Sequence, residues 1–201
     1  MPVAHPPPLG RRERNKQAKL ERITAAASEL FAEHGVDEVT TQQIADAADI
    51  GTGTLFLYAK TKGELLLLVQ NTRYASALER GRTAAAGAAD ALEALMALVT
   101  PIVECNRVQV DNGRTYLREM VFGDPSEPHH TAALSIVAQT EEAAADIVTR
   151  WTRLAAAEAS ALARVISAIM FLEMAATMNA GSSIPEILAS ICTQVAAILP
   201  R

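Results

Sequence analysis

The sequence predicts an all-α protein on three observations. Alternating apolar and polar stretches that would form strands are nearly absent. Alanine, leucine and glutamate recur at the three-to-four spacing of a helix face along most of the chain. Helix starts are marked by capping residues and helix ends by Gly or Pro clusters such as "GDPSEP" and "AGSSIP". With 201 residues, half of them apolar, the chain can bury a substantial core in one or two domains.

The elements follow in order. Residues 1–14 begin with a proline-rich run and continue into Arg11, Arg12 and Arg14, which reads as a disordered basic arm. Helix 1 is expected from Asn15 to His34, because Leu20, Ile23, Ala27, Leu30 and Phe31 share one face and Gly35 supplies the stop. Thr40 and Gln43 form a capping box for a second helix ending near Ala48. Asp49, Ile50 and Gly51 make a tight turn, and a short third helix runs from Thr52 to about Ala59. Thr61 and Glu64 cap a fourth helix reaching about Thr83. Two short helices joined by a three-to-four-residue turn are a helix-turn-helix. The expected division is therefore the arm, a three-helix unit over 15–73 that includes the start of helix 4, and a helical remainder over 74–201.

That remainder reads as helices at Ala89–Asn106, Arg114–Phe122, His129–Leu154, Ala157–Met178 and Ile184–Leu199, with "VDNG" as one of the breaks and Pro101 kinking or ending its helix. The last two are apolar on more than one side. Leu162, Val165, Ile166, Ile169, Met170, Leu172 and Met174 cover two faces of one, and Ile187, Leu188, Ile191, Val195 and Ile198 line the other. Such helices need two partners, and a second copy of the chain across a two-fold axis is the economical second one; a larger internal core is the alternative.

Charge is distributed unevenly. The net charge is −5, but residues 1–73 are balanced, all four lysines lie at or before position 62, and six basic side chains crowd Arg11 to Arg22. A basic front joined to an acidic body suggests two jobs, although a basic run is also compatible with a merely solvated helix face. No stretch has the length and apolarity of a membrane span, and the N-terminus lacks the apolar core of a signal peptide, so the cytoplasm is the expected compartment. Cys105 and Cys192 are isolated and read as reduced, structural thiols.

The segment "IGTGTLFLYAKTK" carries the functional signal. A helix entering a major groove must be slim at its N-terminal end, and Thr52, Gly53 and Thr54 supply small side chains, close backbone approach and hydroxyls. Leu55 anchors the helix, Tyr58 offers a phenol to a phosphate, and Lys62 adds a cation in the first turn of helix 4. The whole stretch "TTQQIADAADIGTGTLFLYAKTKGELL" resembles the helix-turn-helix of the TetR family of bacterial transcriptional regulators, over about Lys19 to Val69. Thr40, Ile44, Ala45, Ile50, Gly53, Thr54, Leu55, Tyr58 and Lys62 stand at the positions the family pattern marks. Asp49 replaces the usual glycine, Gly51 a serine, Phe56 the first tyrosine and Ala59 a phenylalanine. Asp49 falls where the turn often needs a positive φ, which aspartate tolerates better than most residues. Phe56 lacks the hydroxyl, leaving apolar contact with a sugar or thymine methyl.

The resemblance implies that Thr41 and Gln42 face a phosphate and a base, that Thr52, Gly53, Thr54 and Leu57 meet the groove, and that Tyr58 and Lys62 hold the backbone. It implies a homodimer on double-stranded DNA with a palindromic operator, two recognition helices roughly 34 to 36 Å apart, and a second domain that binds a small effector. Repression relieved by an apolar or amphipathic molecule is the expected activity. For the effector site the chain offers Met96, Val103, Tyr116, Met120, Phe122, Trp151, Phe171 and Met174 as adaptable walls, with Asn106, Arg118 or Glu119 to orient a ligand, though each of them taken alone fits plain core better. Control by a partner protein instead of a ligand is the alternative. An enzyme is not expected, since no nucleophile elbow, phosphate loop or paired carboxylates are present. No cofactor is expected, and His129 and His130, adjacent with no third ligand nearby in sequence, predict no metal site.

Overall fold

The computed structural model describes residues 10–200, so the proline-rich part of the expected arm lies outside the described residues. Among them are nine helices and no strand: α1 (Arg11–His34), α2 (Thr41–Ala47), α3 (Thr52–Leu55), α4 (Lys62–Ala85), α5 (Ala91–Arg107), α6 (Val110–Phe122), α7 (Pro128–Trp151), α8 (Ala156–Ala175) and α9 (Ile184–Ile198), with a 3-10 turn at Thr177–Asn179. The first helix starts at Arg11, not Asn15, so Arg11, Arg12 and Arg14 are helical residues and not part of an arm.

The start signals hold at atomic level. Thr40 accepts from the Gln43 N–H while the Gln43 side chain accepts from the Thr40 N–H, at 3.2 and 2.8 Å. Thr61 accepts from the Glu64 N–H at 3.0 Å. Gly35 ends α1 at φ 80, and its N–H returns to the Phe31 carbonyl at 3.1 Å. Asp49 is the one described non-glycine residue with positive φ, at 53. The aspartate thus occupies the left-handed turn conformation that the sequence assigns to it.

Some boundaries differ for local reasons. The stretch "VDNG" is not a break: α6 begins at Val110, and the α5–α6 corner is Val108 and Gln109. Gly113 permits this, since a Cβ there would lie 2.1 Å from the Asn106 carbonyl, where α6 folds back on the end of α5. Pro101 sits inside α5, which continues to Arg107. α8 stops at Ala175, and the chain passes into the 3-10 turn before Met178.

α4 is the central element. Leu65, Leu66 and Leu67 are consecutive and all buried, a pattern a surface helix cannot show. α4 satisfies it by packing on α1 at its start and on α5, α6 and α7 along its length. Burying each such leucine is worth about 1.5–3 kcal/mol, so the helix joins the helix-turn-helix end to the larger bundle through one continuous core.

Candidate nucleic-acid interface and effector cavity

The residues singled out by the sequence for DNA contact, with the anchor Leu55, lie on α2, on α3, in the turn after α3 and at the start of α4, and each of them is exposed or half-buried except Leu55, which is buried. Gln42 is exposed; its Nε2 donates to Asp46 at 2.7 Å, and its Oε1 faces the Thr52 hydroxyl at 3.4 Å, which joins the starts of the two helices. A Cβ on Gly53 would meet nothing within 4 Å, so the backbone there is open to close approach. Thr41 and Thr54 are half-buried, and Phe56 is exposed. Leu57 is 84% exposed, whereas Leu55 two residues earlier is completely buried. One leucine anchors the helix and the other projects from it. The regular helix ends at Leu55; Leu57 and Tyr58 continue the winding with 3-10-type bonds to Thr54 and Leu55.

Electrostatics comes chiefly from a source the motif does not mark. Arg11, Arg12, Lys16 and Lys19 of α1, with Glu13 among them, border a broad groove whose other wall is Thr54, Leu57 and Tyr58. Because α1 is helical from Arg11, these cations sit on a regular helix beside α3 and the turn that follows it. The three-to-four spacing of Arg12, Lys16 and Lys19 was the available sequence signal. Tyr58 donates its phenol to the Lys16 carbonyl at 3.3 Å, and Arg22 pairs with Asp49 at 3.3 Å, so both α3 and its turn are tied to α1. Lys62 donates to the Asp37 carbonyl at 2.9 Å, which gives its ammonium a partner in the α1–α2 loop.

The second feature is a partly open apolar pocket of about 60 Å³ within the bundle of α4 to α8. Tyr116, Met120, Phe171 and Met174 line it as the sequence suggests, and Tyr74, Ile102, Ile136 and Met170 complete much of the wall. Four expected wall residues are elsewhere. Val103 is buried in the core, Met96 packs against that core, and Trp151 is partly exposed at the end of α7. Phe122 is also exposed, on a surface groove with Arg118. Asn106 stands behind the wall, donating to the Tyr74 hydroxyl at 2.7 Å, and Glu119 packs against Gly63.

No lining residue of the space is charged; its polar groups are hydroxyls. Tyr74 and Tyr116 stack with centroids 4.2 Å apart. Burial pushes both phenols upward in pKa, so they remain neutral. Burial likewise raises the pKa of the Cys105 thiol, which favours its protonated form. Among the described residues no group of three or more His, Cys, Asp or Glu side chains gathers as a metal site, and no helix is long and apolar enough to cross a membrane.

The two features meet at a junction. Asn112 of α6 accepts from the Val36 N–H at 2.7 Å and donates to the Phe31 carbonyl at 2.8 Å, clamping the end of α1. Lys60 pairs with Glu127, whose carboxylate raises the lysine's pKa through a hydrogen bond and its charge. Glu64 is buried beside the backbone N–H groups of His129 and His130 at the start of α7, and its pKa is raised because burial outweighs those donors.

A helix-turn-helix unit thus runs through the shared long helix α4 into a helical bundle that holds the apolar pocket. The sequence profile described as "Bacterial regulatory proteins, tetR family" matches residues 23–69, the span from within α1 into α4 that holds the helix-turn-helix. No curated protein matches it. Solved structures share the fold across nearly the whole chain. Thermus thermophilus FadR, a TetR-family transcriptional repressor in complex with lauroyl-CoA, is 24% identical, with 90% of this chain and 96% of that one covered and a TM-score of 0.70. A TetR transcriptional regulator from Rhodococcus sp. RHA1 is 17% identical, covering 92% and 100% at a TM-score of 0.70. The TetR-family regulator PfmR, also from Thermus thermophilus, is 18% identical, covering 90% and 100% at 0.62.

Proposed function

We propose that the protein is a homodimeric, sequence-specific DNA-binding repressor released from a palindromic operator by a small apolar or amphipathic effector. The observation that carries the DNA reading is Leu57: a large apolar side chain left in solvent on the slim, open face of a helix-turn-helix, beside the cationic edge of α1. Thr41, Gln42, Thr52, Gly53 and Thr54 approach bases and sugars, Phe56 and Leu57 supply apolar contact, and Arg12, Lys16 and Lys19 supply phosphate contacts, with Tyr58 holding α3 to α1. The charge-free cavity supports an effector whose buried portion is neutral. The lauroyl-CoA bound by Thermus FadR is such a molecule over its acyl chain, with its charged portion outside that description. Effector release requires unequal affinity for the DNA-competent and DNA-incompetent forms; a coupling of about 1–3 kcal/mol changes DNA affinity roughly 5- to 150-fold.

Dimerisation is supported by α8, where Val165 and Leu172 face outward, Leu162 and Ile169 are partly buried against the core, and Ile166, Met170 and Met174 are buried in it. Val165 and Leu172 are 47% and 61% exposed in the single chain. Leu172→Glu is expected to yield folded monomers in sedimentation velocity and to abolish the paired half-site protections, about one DNA turn apart, seen in a footprint of the wild-type protein. A Leu172→Glu protein that still sediments as a dimer would move the interface off α8.

A further inference from the structure

We propose that Asn71 and His129 are positioning residues that carry the state of the cavity wall to the recognition helix through a continuous hydrogen-bonded chain. The chain begins at Tyr116, whose ring lines the cavity and whose hydroxyl donates to Asn71 Oδ1 at 2.9 Å. Asn71 Nδ2 donates to the His129 carbonyl at 2.9 Å. His129 Nε2 lies 2.9 Å from the Tyr58 carbonyl, and because a carbonyl only accepts, this nitrogen carries the proton. Tyr58 then donates its phenol to the Lys16 carbonyl at 3.3 Å, on the cationic stretch of α1. Four side chains from four elements thus run from the cavity to the DNA-reading face.

The chemistry at each link makes the chain consequential. The Tyr58 carbonyl lies at the end of the recognition helix, where the chain turns away and no later N–H of the helix reaches it. The imidazole satisfies this orphan acceptor, so displacement of His129 loosens the last turn, which bears Leu57. Asn71 is held by one bond from each side, through its carbonyl to Tyr116 and through its amide to His129, so it cannot follow one partner without straining the other. Tyr116 is pinned by its stack on Tyr74, and Tyr74 by Asn106. A molecule that wedges against the Tyr116 ring therefore acts on α4 and on the first turn of α7 together. The Lys60–Glu127 pair flanks the same junction and keeps the two elements in register. Coupling of this kind is established by non-additivity, not by adjacency.

The inference takes its meaning from the reading of α3 as the DNA-binding helix, but its test uses neither DNA nor effector, so the two fail separately. Hydrogen–deuterium exchange is measured on the full-length protein, following residues 52–60 with 184–198 as the control, in Tyr116→Phe, His129→Ala, His129→Gln and the Tyr116→Phe/His129→Ala double variant. Tyr116→Phe keeps the ring and its stack and removes only the hydroxyl. At least threefold faster exchange over 52–60 is expected in Tyr116→Phe and His129→Ala, with 184–198 unchanged. His129→Gln, which retains an N–H donor of similar reach, restores near wild-type exchange. The double variant exchanges no faster than His129→Ala alone. Unchanged exchange over 52–60 in Tyr116→Phe, an equal acceleration along the whole chain, or additive effects in the double variant would each overturn the relay.

Discussion

Replacing Gly81 with alanine is expected to destabilise the protein by about 2–3 kcal/mol even though alanine is the better helix former. Gly81 lies inside α4 where α5 crosses it, and a Cβ there would stand 2.2 Å from the Leu98 carbonyl oxygen, 3.0 Å from its carbon and 3.1 Å from its Cα. All three are backbone atoms, so no rotamer change relieves the clash. Propensity favours alanine by about 1 kcal/mol; forced separation of two packed helices costs more, because it strips contact from Leu95, Leu98 and Leu78 together. Thermal unfolding should show the midpoint falling by roughly 5–10 °C, at about 2–4 °C per kcal/mol for a chain of this size. A raised midpoint would mean that α4 and α5 do not approach so closely.

The second large effect concerns DNA affinity. Substituting Arg12, Lys16 and Lys19 together by alanine is expected to lower the steepness of the salt dependence by about 2–3 per protomer, since each lost phosphate contact removes about 0.9 from the log–log slope. All three are exposed on α1, and none contributes to the core, so stability should change little. Lys62→Ala is the instructive comparison. Its ammonium already holds the Asp37 carbonyl, so the substitution loosens the α1–α2 loop and moves the slope less than an expected phosphate contact would. An unchanged slope in the triple variant would remove α1 from the DNA surface.

The helix-turn-helix was legible because its signals are local. The Thr40–Gln43 box, the left-handed Asp49 and the Gly35 stop each depend on residues within a few positions, and each takes the expected form. The beginning of α6 was hidden because "VDNG" has turn composition, while its Asn112 is recruited by a distant clamp on Phe31 and Val36 that no local pattern shows. The cavity was half legible for the same reason. Size and softness picked out Tyr116, Met120, Phe171 and Met174, but the direction each side chain faces depends on helix crossings, which sent Val103 into the core and left Trp151 at the surface. The cationic edge was visible as a charge run; its place beside α3 follows only from tertiary packing.

The central claim, that the face of α3 reads DNA, is tested most directly by Leu57→Ala. The side chain is so exposed that its truncation removes no core contact, and a structural role would be expressed in stability alone. Fluorescence anisotropy on the DNA immediately upstream of the protein's own gene, against scrambled DNA at matched salt, should show preferential saturable binding by the wild-type protein. In Leu57→Ala that preference should fall at least tenfold while the unfolding midpoint stays unchanged. Equal affinity of wild type and variant for the upstream DNA, with the preference intact, would contradict the assignment of this face to sequence reading.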